Sequence, residues 1–326
     1  MSAAEAMLLV VAALALDAAI GDPDRIWRHW PHPVAWLGAL IAAGDRAFNR
    51  AGAAVSGRRL AGVAFILLLV TVSAAAGWAI QRLALALPGG SVLLALLASV
   101  LLAYRSLRDH VRAVRRAFAT GGLPAARRAV SMIVGRDPER LDEAGVCRAA
   151  VESAAENFAD GVVAPAFWLA VGGLPGLVAY KAINTADSMI GHRSERHLHF
   201  GWAAARLDDL ANLIPARLTG MLIALTAATG GGRIRTALAV MWRDAALHRS
   251  PNAGWPEAAM AGALGLALAG PRLYASGPVE DPFLNPEGRR NAEAADIDRA
   301  LNILSRASLL HAGLYGLGAV LIWLSR

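Results

Sequence analysis

Five runs of this chain carry no Asp, Glu, Lys or Arg: between Arg59 and Arg82, Arg82 and Arg105, Asp160 and Lys181, Arg217 and Arg233, and Arg306 and Arg326. Several approach the roughly 20 apolar residues that a helix needs to cross a bilayer. In hydrocarbon every backbone N–H and C=O must be satisfied within the protein, so a span of this length is a helix. The charged fraction is 17% and the mean hydropathy +0.44, against about 25% charged residues in soluble domains. The chain is therefore read as all-α: a polytopic integral membrane helical protein, one membrane domain over residues 1–326, multi-pass in the cell (inner) membrane. Spans are expected near residues 4–20, 60–80, 83–104, 218–229 and 307–325, with a hydrophilic helical region at 105–160.

The run 161–180 differs from the others, because GGLPG (172–176) puts helix breakers at its centre. A re-entrant helical hairpin accommodates them better than a straight span, since irregular backbone at depth needs protein or water around it. The hairpin would return Lys181 to the side that Asp160 left. Arginine-rich loops at 21–59 and 105–160 are expected in the cytoplasm by the positive-inside rule, which leaves the N-terminus outside. The first apolar run, Met7 to Leu16, has no basic region before it and reads as a retained helix.

The net charge of +7 comes almost wholly from Arg. The arginines flank apolar spans without forming a stripe with interleaved aromatics, so no nucleic-acid partner is expected, and the lipid bilayer is. The single cysteine, Cys147, excludes an intramolecular disulfide and a Cys-based zinc site. The histidines show no zinc spacing. The one lysine, Lys181, lies outside any GxxxxGK, so any ATP binds by another arrangement than a Walker loop.

Against this apolar background, residues 148–217 concentrate ionisable and amide groups. Such groups are expensive near a bilayer and are functional suspects. At helical spacing Arg148, Glu152, Glu156 and Asp160 form one stripe with Ser153 and Asn157 beside it. Three carboxylates so placed repel; Mg²⁺, which takes a few carboxylates plus phosphate oxygens, would relieve that, and a solvated face with Arg148 pairing Glu152 is the competing account. In YKAINTADSMIGHR, Asn184, Asp187 and Ser188 share a face with Lys181 one turn earlier. Lys181 offers a point charge for phosphate, or it snorkels at a helix end. In AAARLDDLANLIPAR, Asp208 is spaced to meet Asn212, and Arg206 to meet Asp209, while Arg217 is a phosphate clamp or an interface anchor.

These residues, in this order, resemble the CobD/CbiB family of membrane proteins of cobalamin biosynthesis. The resemblance runs through DAAIGDP and HPVAWLG (17–23, 32–38), YRSLRDH (104–110), VGRD (134–137), AAVESAAENFADGVVAPAFW (149–168), YKAINTADSMIGHR (180–193), FGWAAARLDDLANLIPARLT (200–219) and HRSPNAGWPEAAMAGALG (248–265). It departs at Pro138, Ala186 and His192, where the family usually has Thr, Leu and Tyr. The resemblance implies an ATP-dependent acid–amine ligase, adenosylcobinamide-phosphate synthase. It joins adenosylcobyric acid, a corrinoid, to (R)-1-amino-2-propanol O-2-phosphate or aminopropanol, with ATP and Mg²⁺ as cofactors. Association with other membrane enzymes of corrinoid assembly would suit such a step. The chemistry, laid on the matched motifs, calls for Mg²⁺ ligands (Glu152, Glu156, Asp187 and Asp208) and cations for phosphate (Lys181, Arg136, Arg193, Arg206 and Arg217). The amides and hydroxyl of Asn157, Asn184 and Ser188 would bind substrate. Lys181 and Asp187 are the expected catalytic groups, with Asp160 and His32 as candidate acceptors of the amine proton.

A secondary transporter is the main rival, because it too uses broken helices and mid-membrane polar groups, but it predicts inverted repeats, and the NTADSM and LDD segments occur once. A regulatory membrane protein of the beta-lactamase-regulator type would not need so dense a polar set. A phospholipid-type phosphotransferase fails at Asp160-Gly161, which VVAP follows.

Overall fold

The computed structural model describes residues 1–22, 27–50, 52–135, 138–274 and 277–325, without the side chains of 272–274 and 277–279. Its helices are α1 (Ala3–Ile20), α2 (Pro33–Phe48), α3 (Val55–Leu85), α4 (Gly90–Ser99), α5 (Tyr104–Val130), α6 (Glu143–Phe158), α7 (Ala164–Ile190), α8 (Trp202–Ala211), α9 (Leu213–Leu225), α10 (Ile234–Asp244), α11 (Gly254–Leu264) and α12 (Ala294–Leu324). A π-helical turn, Ala159–Val163, joins α6 to α7. The Pro- and Gly-rich loop before α12 holds two small antiparallel ribbons, β1 (Leu268–Ala269) with β4 (Phe283–Leu284) and β2 (Arg272–Tyr274) with β3 (Gly277–Val279).

Five helical stretches are long and apolar enough to cross a membrane: Ala3–Ile20, Val55–Leu85, Gly90–Val130, Glu143–Ile190 and Ala294–Leu324. Leu67, Leu68 and Trp78 on α3 and Leu317 and Trp323 on α12 are each more than half exposed. Water would penalise that much large apolar surface, and hydrocarbon does not. The all-α, polytopic reading holds. The boundaries differ in two places. α3 runs through Arg82 to Leu85, and the chain then turns at Pro88 and at Gly89 (φ 72°). Only the ten residues of α4 follow before the next break, so 83–104 is not one straight helix. α9 has 13 residues, about 20 Å of helix, and ends in a 3₁₀ turn, Ala227–Gly230. It is too short to cross about 30 Å of hydrocarbon by itself.

The hairpin expected on GGLPG is present. Gly173 has φ 63° and ψ −156°, a region that only glycine enters cheaply, and Pro175 starts the returning helix. Ala164 and Tyr180 consequently share one cluster with Trp168 and Ala211, whereas a straight helix would hold them roughly 24 Å apart. α3 receives the turn: Gln81 Oε1 accepts the Leu174 N–H at 2.9 Å. A Cβ on Gly77 would sit 2.8 Å from the Pro175 Cα, so glycine is what admits the hairpin. The same GGLP sequence at 121–124 makes the same break, with Gly122 at φ 60° and ψ −158°.

The chain divides into two compact units: Met1–Ala103 with Ala164–Asn212 and Tyr315–Arg326, and Tyr104–Val163 with Leu213–Leu314. The first is organised around Ile41 on α2, Phe65, Ile66 and Leu69 on α3, Ala182, Ala186 and Ile190 on α7, and Phe200 and Ala204 at the start of α8. In the second, α9, α10 and α11 pack together. Gly262 lets α11 approach α10 so closely that a Cβ there would be 2.8 Å from the Val240 Cβ.

Candidate functional site

In the first unit the returning half of the hairpin and α8 bring two of the three polar segments together. Asn212, 1% exposed, ends α8. The Tyr180 hydroxyl donates to its Oδ1 at 3.0 Å, which turns its Nδ2 toward Asp208 Oδ2, also at 3.0 Å. Asn184 Nδ2 reaches across from α7 to Asp208 Oδ1 at 3.4 Å. The Trp168 indole donates to the Ala211 carbonyl at 3.1 Å and ties the outgoing half of the hairpin to the same helix. Asp208 is thus held by two amides on a rigid frame. Burial and the charge of Asp187 raise it to about 7, and the hydrogen bonds from Asn212 and Asn184 offset only part of that.

Asp187 is placed by backbone economy. A Cβ on Gly191 would overlap Asp187 Oδ1, so the glycine of MIGHR leaves room for this carboxylate. Lys181 is half-buried on α7, and its carbonyl accepts from the Thr185 hydroxyl at 2.6 Å. Ser188 is exposed and donates to the Asn184 carbonyl at 2.9 Å. Arg206 Nη1 donates to Asp209 at 3.1 Å, the expected i, i+3 pair. Burial raises Asp209, while the charges of Arg206 and Arg193 pull it down, so Arg193 acts on the same carboxylate from the loop after α7. Both arginines are exposed. Asp187 and Asp208 are the acids in the first unit that could hold a divalent cation together with phosphate oxygens, since Mg²⁺ takes one or two carboxylates plus phosphate.

The remaining expectations fare differently. Glu152 is 5% exposed, and its Oε1 accepts the Ala269 N–H at 2.8 Å. It therefore anchors β1, where Ala269 has φ 57°, and Arg148 bonds the Arg290 carbonyl (2.5 Å). Neither account of the stripe fits, since it is neither solvated nor continuous. The π turn shifts the helical register after Phe158, so Asp160, partly buried, leaves the row that exposed Glu156 ends. Asn157 donates back to Ser153, to its carbonyl and its hydroxyl, both at 2.9 Å. Among the described residues no three His, Cys, Asp or Glu form a metal-holding group. In place of the four-carboxylate set, the first unit offers the pair Asp187 and Asp208, and Mg²⁺ characteristically uses one or two carboxylates plus phosphate.

His32 caps α2: its Nδ1 accepts the Val34 N–H at 3.2 Å, leaving Nε2 to donate to the Val100 carbonyl at 3.2 Å. With its basic nitrogen so used, it is a structural cap rather than a proton acceptor. Arg217 stacks on Trp255, 4.6 Å from the ring centroid, and donates to the Leu213 carbonyl. This ties it to α9 and α11 rather than leaving it extended as a clamp. Arg136 lies outside the described residues.

Sequence reasoning missed Tyr180, Gly191 and a buried group around Asp45. It also gave His248 no partner, where the structure sets Glu257 3.6 Å away in the second unit, with both side chains buried. Tyr180 and Gly191 stood inside a matched motif, but only the return of the hairpin shows what they touch.

Compared with known proteins, the chain matches the CobD/Cbib protein family over residues 10–304. It is 54% identical over 313 residues to cobalamin biosynthesis protein CobD of Sinorhizobium sp, covering 95% of this chain and 97% of that one. The corresponding protein of Brucella suis biovar 1 (strain 1330) is 54% identical over 314 residues, 94% and 95% of the two chains. That of Rhodobacter capsulatus is 51% identical over 319 residues, 96% and 97%. No solved structure matches the chain.

Proposed function

This chain belongs to the CobD/CbiB family and so to cobalamin biosynthesis, and we propose that it is the membrane-bound amide ligase that makes adenosylcobinamide phosphate from adenosylcobyric acid. The observation that carries the chemistry is Asp208, held by Asn184 and Asn212 beside the charge of Asp187. Exposed Arg206 lies on the same helix, exposed Arg193 in the loop before it, and the only lysine, Lys181, nearly two helical turns before Asp187. The substrate carboxylate is a poor acyl donor. Attack of its oxygen on the γ-phosphorus of ATP forms an acyl phosphate and releases ADP. The amine of (R)-1-amino-2-propanol O-2-phosphate then attacks the carbonyl carbon, the C–O bond to phosphate breaks, and inorganic phosphate leaves with the proton that the amine nitrogen gives up. Phosphoryl transfer of this kind rests on positioning and charge neutralisation.

In this reading Lys181 neutralises a phosphate as a point charge, and Arg193 and Arg206 bind the phosphate of the amine or of the nucleotide. Asp187 and Asp208 would hold Mg²⁺. Bound there, the ion would neutralise charge on the ATP phosphates. Asn184 and Asn212 keep the Asp208 carboxylate pointed at that position. The protein would act in the cell inner membrane, on a corrinoid and a small amine. Purified protein in detergent, given adenosylcobyric acid, ATP, Mg²⁺ and the phosphorylated amine, should form the amide with one ADP per bond. Cobyric acid left unchanged, with the protein folded, would end this reading.

A further inference from the structure

The first unit contains a second knot of polar side chains, where the C-terminal end of α2 meets the loop 191–201 between α7 and α8. Asp45 is its centre, with a side chain only 12% exposed. One carboxylate oxygen accepts both Arg196 Nε (2.9 Å) and Nη2 (2.6 Å), and the other accepts Asn49 Nδ2 (2.7 Å). His197 Nε2 lies 3.5 Å away. Asn49 and Arg58 also donate to the Arg196 carbonyl, and Arg58 Nε bonds Asn49 Oδ1 at 3.0 Å. Side chain and backbone of one loop residue are therefore both gripped, from α2 and from α3. Burial would raise Asp45, yet the bonds from Asn49 and Arg196 and the charges of Arg196 and His197 hold it below its ordinary value.

A two-nitrogen guanidinium–carboxylate contact fixes orientation as well as distance. The gripped residue is three positions from Arg193, and between them Ser194 starts a turn whose carbonyl accepts from the N–H groups of His197 (3.0 Å) and Leu198 (2.8 Å). Arg193 itself is exposed, and the attraction it exerts on Asp209 sets no orientation. Its placement comes from the turn, and the turn is placed by Asp45.

We propose that Asp45 is a positioning residue: by gripping Arg196 it fixes the loop that presents Arg193, and so sets how tightly the phosphate of the amine substrate is held. This rests on the proposed ligase reading, taken with Arg193 on the phosphate of the amine and not on that of the nucleotide. A purely structural ion pair would affect phosphorylated and free amine alike, whereas a positioning role separates them.

The test is calorimetric binding of (R)-1-amino-2-propanol O-2-phosphate, and of free aminopropanol, to the full-length protein in detergent. Asp45→Asn should weaken the phosphorylated amine about tenfold, as expected for one mispositioned charge-assisted contact, and leave the free amine unchanged. Arg196→Lys, which keeps the charge but loses the two-nitrogen grip, should do the same should the first variant fold poorly. In an Arg193→Ala background Asp45→Asn should add nothing, because residues acting through one another are not additive. Additive losses, equal losses on both amines, no loss, or no binding by the unmodified protein would overturn the inference. Unmodified protein that binds the phosphorylated amine with the expected pattern but forms no amide would remove the ligase reading and leave this one standing.

Discussion

Asp208→Asn removes a negative charge from a place that disfavours it and keeps the shape of the side chain. Because the Tyr180 hydroxyl donates to Asn212 Oδ1, Asn212 presents its NH₂ to position 208. The new amide keeps that bond with its carbonyl and loses the 3.4 Å bond from Asn184, at a cost of about 1 kcal/mol. The gain depends on pH. Asp208 is raised to about 7, so between about pH 4 and pH 7 the folded protein holds a proton there that the unfolded chain has lost. Stability must therefore fall as pH rises through that window, by roughly 4 kcal/mol in total at pH 8. The variant escapes this fall. It should be more stable than the unmodified protein by roughly 3 kcal/mol at pH 8 and slightly less stable below about pH 5. In detergent, its melting temperature should exceed the parent's on the order of 5 °C at pH 8. The difference between the two proteins, followed from pH 5 to 8, removes the contribution of groups remote from Asp208 and reports it together with Asp187, whose charge acts on it. Mg²⁺ added at pH 8 should stabilise the parent more than the variant, because only the parent keeps both carboxylates. A difference that is flat with pH, or a variant that melts lower at pH 8, would refute the reasoning.

Lys181→Ala should abolish amide formation with the protein still inserted and folded, and Lys181→Arg should recover little, because a planar fork replaces a compact point charge; full turnover by the alanine variant would reduce Lys181 to a membrane anchor. Gly191→Ala should displace Asp187 and lower turnover at least tenfold, as a misplaced catalytic group does, and unchanged kinetics would show that Asp187 is not needed where it stands. Gly173→Ala should destabilise the protein by about 2 kcal/mol or more, since its backbone angles admit only glycine and a Cβ would fall 2.5 Å from Gln81 Oε1. Gly89→Ala, in a left-handed turn with open space around it, should cost only about 1 kcal/mol, so equal denaturation midpoints for the two variants would contradict the account of the hairpin.

The sequence by itself determined what is periodic, local or extreme in composition. Charge-free runs required membrane helices because hydrocarbon leaves the backbone no other partner. GGLPG required a reversal because glycine and proline act on their own residues. The i, i+4 pairing of Asp208 with Asn212 and the i, i+3 pairing of Arg206 with Asp209 were legible because one helix brings both partners together. Family membership was legible in the order of its motifs. Tertiary structure decided everything that joins distant positions. Asp45 and Arg196 are 151 positions apart, and no spacing rule links them. Glu152 looked by spacing like a metal ligand, and no spacing rule showed that the Ala269 amide, 117 positions away, bonds its Oε1. His32 looked like a base until its local cap and the Val100 carbonyl used both nitrogens. A side chain carries the same chemistry wherever it sits; which of its polar atoms remains for a substrate depends on the groups that the rest of the chain brings against it.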